Sequence, residues 1–192
     1  MTPTSGLPVA VLDANVLYPQ WLRDVMLTLA AEGSFQPAWS RQIIDEMRRN
    51  VLRNHPEIDP GHFDDVTVGT LQRAFPDAWI EVPSDLIAQM DNNPDDRHVL
   101  AVAVQTSAGV IVTQNTADFT SSRFIGSQQV AVETPATFLS AALDEDEELM
   151  ARVLALLAAN RRGVTTVSDV LDQLDRNQTL HGFVDLARTR LL

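Results

Sequence analysis

The chain opens with a short apolar run, and apolar positions at helical spacing follow it. Val9 to Leu12 predict a buried strand that ends at Asp13. A helix is then predicted up to Gly33, and Ser40 is placed to cap a second helix that ends before the His55-Pro56 pair. The apolar positions that define these helices are Leu22, Val25, Met26 and Leu29 in the first and Ile43, Ile44, Met47 and Val51 in the second.

The middle of the chain carries further helical and strand patterns. Apolar spacing predicts a helix over Phe63 to Phe75 and a short strand over Ala78 to Val82. The segment Asn93 to Asp96 supplies a side-chain cap, a proline at the first helical position and acids in the first turn. It therefore predicts the start of another helix. Val110 to Thr113 and Gln129 to Val132 are the next predicted strands.

Beyond Pro135 the pattern predicts only helices. They are expected over Pro135 to Leu143, Glu147 to Ala159, Ser168 to Leu174 and Leu180 to Leu191. Because strands alternate with helices earlier in the chain, we expect an α/β fold with a central, mainly parallel sheet. The expected organisation is one domain over residues 1–143 and a helical extension over residues 144–192. An apolar stripe on the extension needs a partner surface, so the extension should pack on the domain.

The residue types that are missing exclude several chemistries. The chain contains no cysteine and no lysine, and all 14 of its basic residues are arginine. Without cysteine there can be no disulfide, thiolate zinc site or cysteine nucleophile. Without lysine there can be neither a Walker A phosphate loop nor a Schiff-base enzyme. The four histidines lie far apart and show no pairing typical of zinc enzymes.

The formal net charge of −12 disfavours general attraction to nucleic acid, because phosphates would be repelled on average. Divalent cations that bind in an acidic pocket reverse this repulsion at that place, and the pocket then attracts phosphate. No apolar run approaches the roughly 18 residues that a membrane-spanning helix needs. The first six residues include no basic one, unlike a secretory signal. We therefore expect a soluble, cytoplasmic protein.

Four acidic residues from distant parts of the sequence are predicted to meet at one edge of the sheet. Asp13 follows the first predicted strand, and Asp118 ends the segment that follows a later strand. Ligands of α/β proteins collect at the carboxyl ends of parallel strands. Asp96 lies in the first turn of the helix that leads into that later strand, so it can face the same edge. Glu46 would project from the second helix as the fourth acid.

Such a cluster points to metal chemistry. Carboxylates packed together repel one another unless they are protonated or bridged by cations, and oxygen ligands select Mg²⁺ or Mn²⁺. A site of this kind activates water and stabilises charge on a phosphoryl group, as metal nucleases do. Each acid also has an ordinary structural explanation: a turn at Asp13, an intrahelical pair at Glu46, a helix-dipole contact at Asp96 and a loop cap at Asp118.

The motifs around these acids resemble those of PIN-domain nucleases and, more narrowly, of the VapC toxins of bacterial toxin–antitoxin pairs. The resemblance covers about Val9 to Leu139. It is carried by four elements: Val9 to Leu17 with its Asp-x-Asn motif, Asp45-Glu46 on a helix, Asp96 to Ala103 with its Ala-x-Ala sequence, and Ile111 to Phe119 with its Thr-x-Asn-x-x-Asp-Phe motif. Asp45 and Asp95 each adjoin a preferred acid, so an assignment shifted by one residue stays open at both places.

The resemblance implies a PIN-like α/β/α sandwich and metal-dependent endoribonuclease action on structured RNA, typically tRNA or ribosomal RNA. It also implies a cognate antitoxin and a homodimer. Asp13, Glu46, Asp96 and Asp118 would be both the catalytic residues and the Mg²⁺ or Mn²⁺ ligands, with Asn15, Thr113 and Asn115 as auxiliary residues. Many relatives have aspartate at the position of Asn115, which would here be a neutral ligand or a substrate contact.

Arginines near the predicted acids are candidates for RNA contacts, because a guanidinium suits phosphate. They are Arg97 beside Asp96, and Arg41, Arg48, Arg49 and Arg53 on the helix of Glu46. Arg161, Arg162, Arg188 and Arg190 could bind RNA or antitoxin from the helical extension, or could simply complement helix ends. Two other functions stay open: a housekeeping RNA-processing nuclease, and a non-enzymatic acidic interaction module whose carboxylates are caps and solubilising charge.

Overall fold

The computed structural model describes residues 6–120, 122–128, 130–161 and 163–192. Its strands are β1 (Val9–Leu12), β2 (Gln36–Ala38), β3 (Val110–Val112) and β4 (Ala131–Glu133). They form one parallel sheet in the order β2-β1-β3-β4. Helices connect successive strands, as parallel pairing requires. The structure thus confirms the predicted α/β class and its parallel sheet.

Helices make up most of the remaining structure. The α-helices are α1 (Ala14–Leu17), α2 (Gln20–Ala31), α3 (Arg41–Asn54), α4 (Pro60–Phe63), α5 (Gly69–Ala74), α6 (Ser84–Gln89), α7 (Arg97–Thr106), α8 (Arg123–Gln128), α9 (Pro135–Glu145), α10 (Glu147–Asn160), α11 (Val167–Asp175) and α12 (His181–Leu191). A π-helical segment, Asp64–Val68, joins α4 to α5. Single 3-10 turns occur at Pro76–Ala78, Pro94–Asp96, Thr116–Asp118 and Gln178–Leu180. None of the described helices is both long and apolar enough to cross a membrane.

The helix boundaries follow the local signals of the sequence. The Ser40 side chain accepts a hydrogen bond from the Ile43 amide at 3.3 Å and caps α3, as predicted. Gly33 follows α2 with a φ of +88°, a conformation that glycine adopts without steric cost. Beyond Pro135 the described residues form only helical elements and no strand, as predicted. The chemistry of capping residues therefore sets where these helices start and stop.

Two predictions in the middle of the chain need correction. Ala78 to Val82 do not form a strand of the sheet. Pro76–Ala78 form a 3-10 turn, and only Trp79 makes an isolated bridge, to Trp39. The edge strand next to β1 is instead β2, which the apolar pattern did not indicate. The helix expected from Phe63 starts at Pro60, where Asp59 caps it. Gln129, at the start of another predicted strand, lies outside the described residues, and β4 covers Ala131–Glu133.

The C-terminal helices share one continuous hydrophobic core with the sheet and its connecting helices. Helix α10 contacts α2 and α9, α11 contacts α2, and α12 contacts α9. The buried face of α10 consists of Leu149, Met150, Val153, Leu154, Leu157 and Ala158. Two ion pairs reinforce the contact between α10 and α2: Arg152 with Glu32 at 3.1 Å, and Arg161 with Asp24. The apolar stripe of this region thus has its partner surface within the chain.

We predict that the C-terminal helices unfold together with the rest of the chain. Leu154→Ala removes a fully buried side chain from the α10 core and should lower the free energy of unfolding by about 2–5 kcal/mol. Leu192→Ala, the control, truncates a leucine that is 69% exposed and should change stability by less than about 0.5 kcal/mol. Urea unfolding monitored by circular dichroism should show one transition. A separate transition that alone shifts in Leu154→Ala would contradict this prediction.

Candidate active site

Asp13 lies at the carboxyl end of β1 with its side chain almost completely buried. Its Oδ1 accepts a hydrogen bond from the Ala14 amide at 2.6 Å. Its Oδ2 accepts from the Asn15 side-chain amide and from the Thr113 hydroxyl, both at 2.7 Å. Three donors at such distances are what a buried carboxylate needs, because an unpaired buried charge is costly. Asp13 is therefore fixed in one position at this edge of the sheet.

The donors to Asp13 are themselves held by the loop that follows β3. The Asn15 side chain also donates to Thr113 Oγ1 at 3.0 Å and accepts from the Gln114 amide at 3.0 Å. Thr113 Oγ1 further accepts from the Asn115 amide at 3.0 Å. The Asn115 residue is exposed, and only its backbone takes part in this network. Of the predicted auxiliary residues, Asn15 and Thr113 thus orient Asp13, and Asn115 lies at the rim.

Glu46 approaches the same edge from α3. Its carboxylate lies 3.5 Å from Nε2 of His98, which is buried on α7. The neighbouring Asp45 is turned away and forms an ion pair with Arg41 at 3.1 Å. Of the two adjacent acids, Glu46 is therefore the one that faces the cluster. His98 was not anticipated by the sequence analysis, because a lone histidine next to apolar helix positions gives no signal of its neighbours.

Asp96 and Asp118 complete the group. Asp96 immediately precedes α7 but makes no side-chain capping hydrogen bond, so a capping bond does not explain its presence. Asp118 ends the 3-10 turn after β3, and its Oδ1 accepts from the Asn93 side-chain amide at 2.9 Å. Asn93 also caps the turn that leads into α7, through the Asp95 amide. One asparagine therefore ties the two loops that carry Asp96 and Asp118.

The charges of the four acids act on one another. The pKa of Asp96 is raised to about 6, first by burial and then by the negative charges of Asp13, Asp118 and Glu46. The pKa of Asp13 is also raised, mainly because burial disfavours its charged form, while the bonds from Thr113 and Ala14 oppose that effect. Such mutual repulsion is the electrostatic environment that a cation relieves. The four acids that the sequence singled out are therefore near enough for the charges of Asp13, Asp118 and Glu46 to act on Asp96.

The donor set suits a hard divalent cation, since it consists of carboxylate oxygens with neutral oxygen groups nearby. In the described part of the chain, however, no three acidic or histidine side chains converge closely enough to form a ligand set. Carboxylates without a counter-ion repel one another, which favours side-chain positions in which they stay apart. The chemistry of the residues thus fits a divalent metal ion.

The arginines that the sequence suggested for RNA contacts are mostly engaged within the chain. Arg41 pairs with Asp45, and both nitrogens of the Arg48 fork bind Asp64 at 2.5 and 2.9 Å. In the C-terminal helices, Arg161, Arg188 and Arg190 pair with Asp24, with Asp172 and Asp175, and with Asp144, respectively. Arg162 lies outside the described residues. Arg97 is half-buried, and its Nε has no hydrogen-bond partner in the described structure.

In α/β proteins with a parallel sheet, ligands generally bind at the carboxyl ends of the strands, and in this chain acidic side chains lie at or after the ends of β1 and β3. The family model of the PIN domain matches residues 9–117, which is more than half of the chain. The chain therefore belongs to the PIN domain family, whose members are generally nucleases that typically use divalent metal ions. The matched segment includes Asp13, Glu46 and Asp96 and ends one residue before Asp118. No curated protein and no solved structure gave a significant match.

We predict that Asp96 destabilises the metal-free fold above its pKa. A folded-state pKa of about 6 exceeds the ordinary value of roughly 3.9. The stabilising contribution of the protonated form is therefore present at low pH and is lost as the pH rises through 6. In chelator at pH 8, Asp96→Asn should be more stable than wild type by about 1–2 kcal/mol, because solvent screens part of the shift. The advantage should vanish towards pH 4.

Thermal melts across this pH range measure the effect. Asp95→Asn is the matched control, since it removes the same charge from the exposed neighbouring residue. Asp96 is a better probe than Asp13, because the oxygens of Asp13 accept hydrogen bonds that an asparagine could not all keep. An Asp96→Asn variant that is less stable than wild type at every pH would show that the carboxylate is structural.

Proposed function

We propose that this protein is a divalent-metal-dependent endoribonuclease. One observation carries the proposal: in a chain of the PIN family, the charges of Asp13, Glu46 and Asp118 act together on Asp96 at the carboxyl edge of the sheet. Carboxylates that serve only as helix or loop caps need not lie near one another, and their mutual repulsion lowers stability. A site that binds a cation and a phosphate requires several carboxylates in one place.

In this proposal Asp13, Glu46, Asp96 and Asp118 hold Mg²⁺ or Mn²⁺. The ion would supply a Lewis acid for the phosphoryl oxygens and would activate water as the nucleophile. Asn15 and Thr113 keep Asp13 in place, as their hydrogen bonds to its carboxylate indicate. Asn115 is exposed beside this network and is available for substrate contact. Arg97 adds a positive charge next to Asp96.

We further propose that the chain acts in the cytoplasm as the toxin of a toxin–antitoxin pair, as a homodimer that a cognate antitoxin inhibits. The support is the order and spacing of its motifs, which resemble those of VapC toxins. The proposed substrate is structured RNA, either tRNA or ribosomal RNA, whose cleavage would stop translation. A housekeeping RNA-processing nuclease would use the same acids and differ only in its targets and partners.

The metal mechanism predicts the following cleavage results. RNA should be cut with Mg²⁺ or Mn²⁺ and not in excess chelator. Asp13→Asn, Glu46→Gln, Asp96→Asn and Asp118→Asn should each lower the rate by about 10²–10³, the usual effect of removing one electrostatic stabiliser. Products should carry 5′-phosphate and 3′-hydroxyl ends, since water rather than the RNA 2′-hydroxyl attacks. Gel assays with end-group analysis measure all three.

Asp45→Asn and Asp95→Asn are the matched controls, because each removes an acid next to a proposed ligand and should retain activity. Cyclic-phosphate ends, or full activity of Asp13→Asn in chelator, would contradict the mechanism. Sequencing the 5′ ends of cellular RNA after induced expression tests the toxin role. Discrete cuts in tRNA or ribosomal RNA with growth arrest are expected for wild type and not for Asp13→Asn. Cuts confined to precursor RNA, without arrest, would indicate a processing nuclease instead.

A further inference from the structure

A cavity of about 460 Å³ lies apart from the four acids. Its volume is in the range of small-molecule binding sites. It opens between the end of α1, the start of α2, the end of α3 and the π-helical segment after α4, and π-helical segments often mark functional sites. In a chain with a net charge of −12, none of the described residues that line it is acidic. The polar residues of its lining include Arg23, His55 and His62.

Arg23 is the most distinctive residue of this cavity. Its guanidinium donates to the Leu17 carbonyl at 2.9 Å, and within the described structure it has no carboxylate partner. Burial and the charge of Arg161 lower its pKa to about 10, so it stays protonated at neutral pH. Burying part of a cation without a counter-ion costs free energy, and a bound anion would offset that cost. The cavity therefore offers a preformed position for a negatively charged group.

The remaining lining has the character of a surface for a nucleobase or a ribose. Phe63 and Val51 are almost fully buried and form the apolar floor of the cavity, and Val66 at the opening is 51% exposed. The Tyr18 hydroxyl accepts from the Asn54 side chain at 3.1 Å and keeps its own proton available to donate. Aromatic and apolar surfaces beside a cationic group are the features with which proteins hold single-stranded RNA.

The cavity is also built on the helices that carry the acids. Tyr18 directly follows α1, which starts after Asp13, and Val51 lies on α3 with Glu46. We propose that this cavity binds one nucleotide unit of the RNA substrate away from the cleaved bond, with Arg23 on its phosphate and the apolar floor against its base. The inference rests on the proposed nuclease function, since it takes RNA as the substrate.

Binding of a short fluorescent single-stranded RNA in excess chelator tests this directly, because cleavage is then not expected. Arg23→Gln should weaken binding about tenfold, the usual effect of losing a hydrogen bond to a charged group. The slope of log affinity against log salt should fall by about 0.7, the value for one phosphate contact on a single strand. Arg73→Gln is the matched control: Arg73 is exposed, contacts Thr70 and does not line the cavity. Equal affinities of the two variants would overturn the proposal.

Arg23 is half-buried, so each variant's melting temperature is measured alongside binding. His62→Ala removes a polar side chain from the exposed rim of the cavity and serves as a second variant. It should weaken binding about threefold, the effect of losing one ordinary hydrogen bond, without changing the fold. If Arg23→Gln does not fold, an unchanged affinity in His62→Ala overturns the proposal, and a weakened one supports it.

Titration with adenosine monophosphate shows whether the cavity binds a phosphate within an RNA chain or a free nucleotide. Loss of both RNA and mononucleotide binding in Arg23→Gln supports an RNA subsite. If Arg23→Gln loses mononucleotide binding but keeps RNA binding, the RNA-subsite proposal is wrong and the ligand is a free nucleotide. The metal-dependent cleavage assay separates this inference from the proposed function. If RNA binding depends on Arg23 but the RNA is never cut, the proposed nuclease function is wrong. If binding and cleavage are both unchanged in Arg23→Gln, the proposed RNA site in the cavity is wrong.

Discussion

The burial of the Asp13 carboxylate at the end of β1 constrains the rest of the structure. Removing this charge from water is tolerable only because Ala14, Asn15 and Thr113 donate to it. The Thr113 donor directly follows the adjacent strand β3, 100 residues away in the sequence, so the carboxylate depends on the parallel pairing of β1 with β3. The same pairing brings the loop of Asp118 to this edge. Fold and candidate site therefore depend on one set of hydrogen bonds.

Asp96 lies where its charged form lowers the stability of the fold. Asp96 has no capping bond, and its neighbours' charges raise its pKa. This arrangement does not stabilise the fold, and carboxylates with strongly shifted pKa values cluster at functional sites. Asn93 donates to Asp118, and His98 lies 3.5 Å from Glu46. Both contacts are between residues from different segments, which is why they could not be deduced from local sequence.

What the sequence could predict was decided by local chemistry. β1 is an unbroken apolar run, and α3 has its serine cap, so both were predictable from the residues themselves. β2 has the sequence Gln-Pro-Ala, which shows neither alternation nor an apolar run, and only pairing with β1 makes it a strand. Within the segment Ala78 to Val82, Ala78 ends a 3-10 turn and Trp79 packs edge-on against Trp39. Tertiary contacts overrode propensity at both places.

The distribution of arginine explains how so acidic a chain could still bind RNA. Several arginines are neutralised by internal pairs, as with Arg48 and Asp64 or Arg188 and Asp172, so they add little attraction for phosphate. Because long-range attraction is absent, the affinity must come from short-range contacts at defined positions. Cations held by the acids would supply one such contact, and the Arg23 guanidinium would supply another. The net negative charge of such a nuclease would repel most nucleic acid. Only RNA whose shape reaches both the acidic cluster and Arg23 would bind, which favours selective cleavage over general degradation.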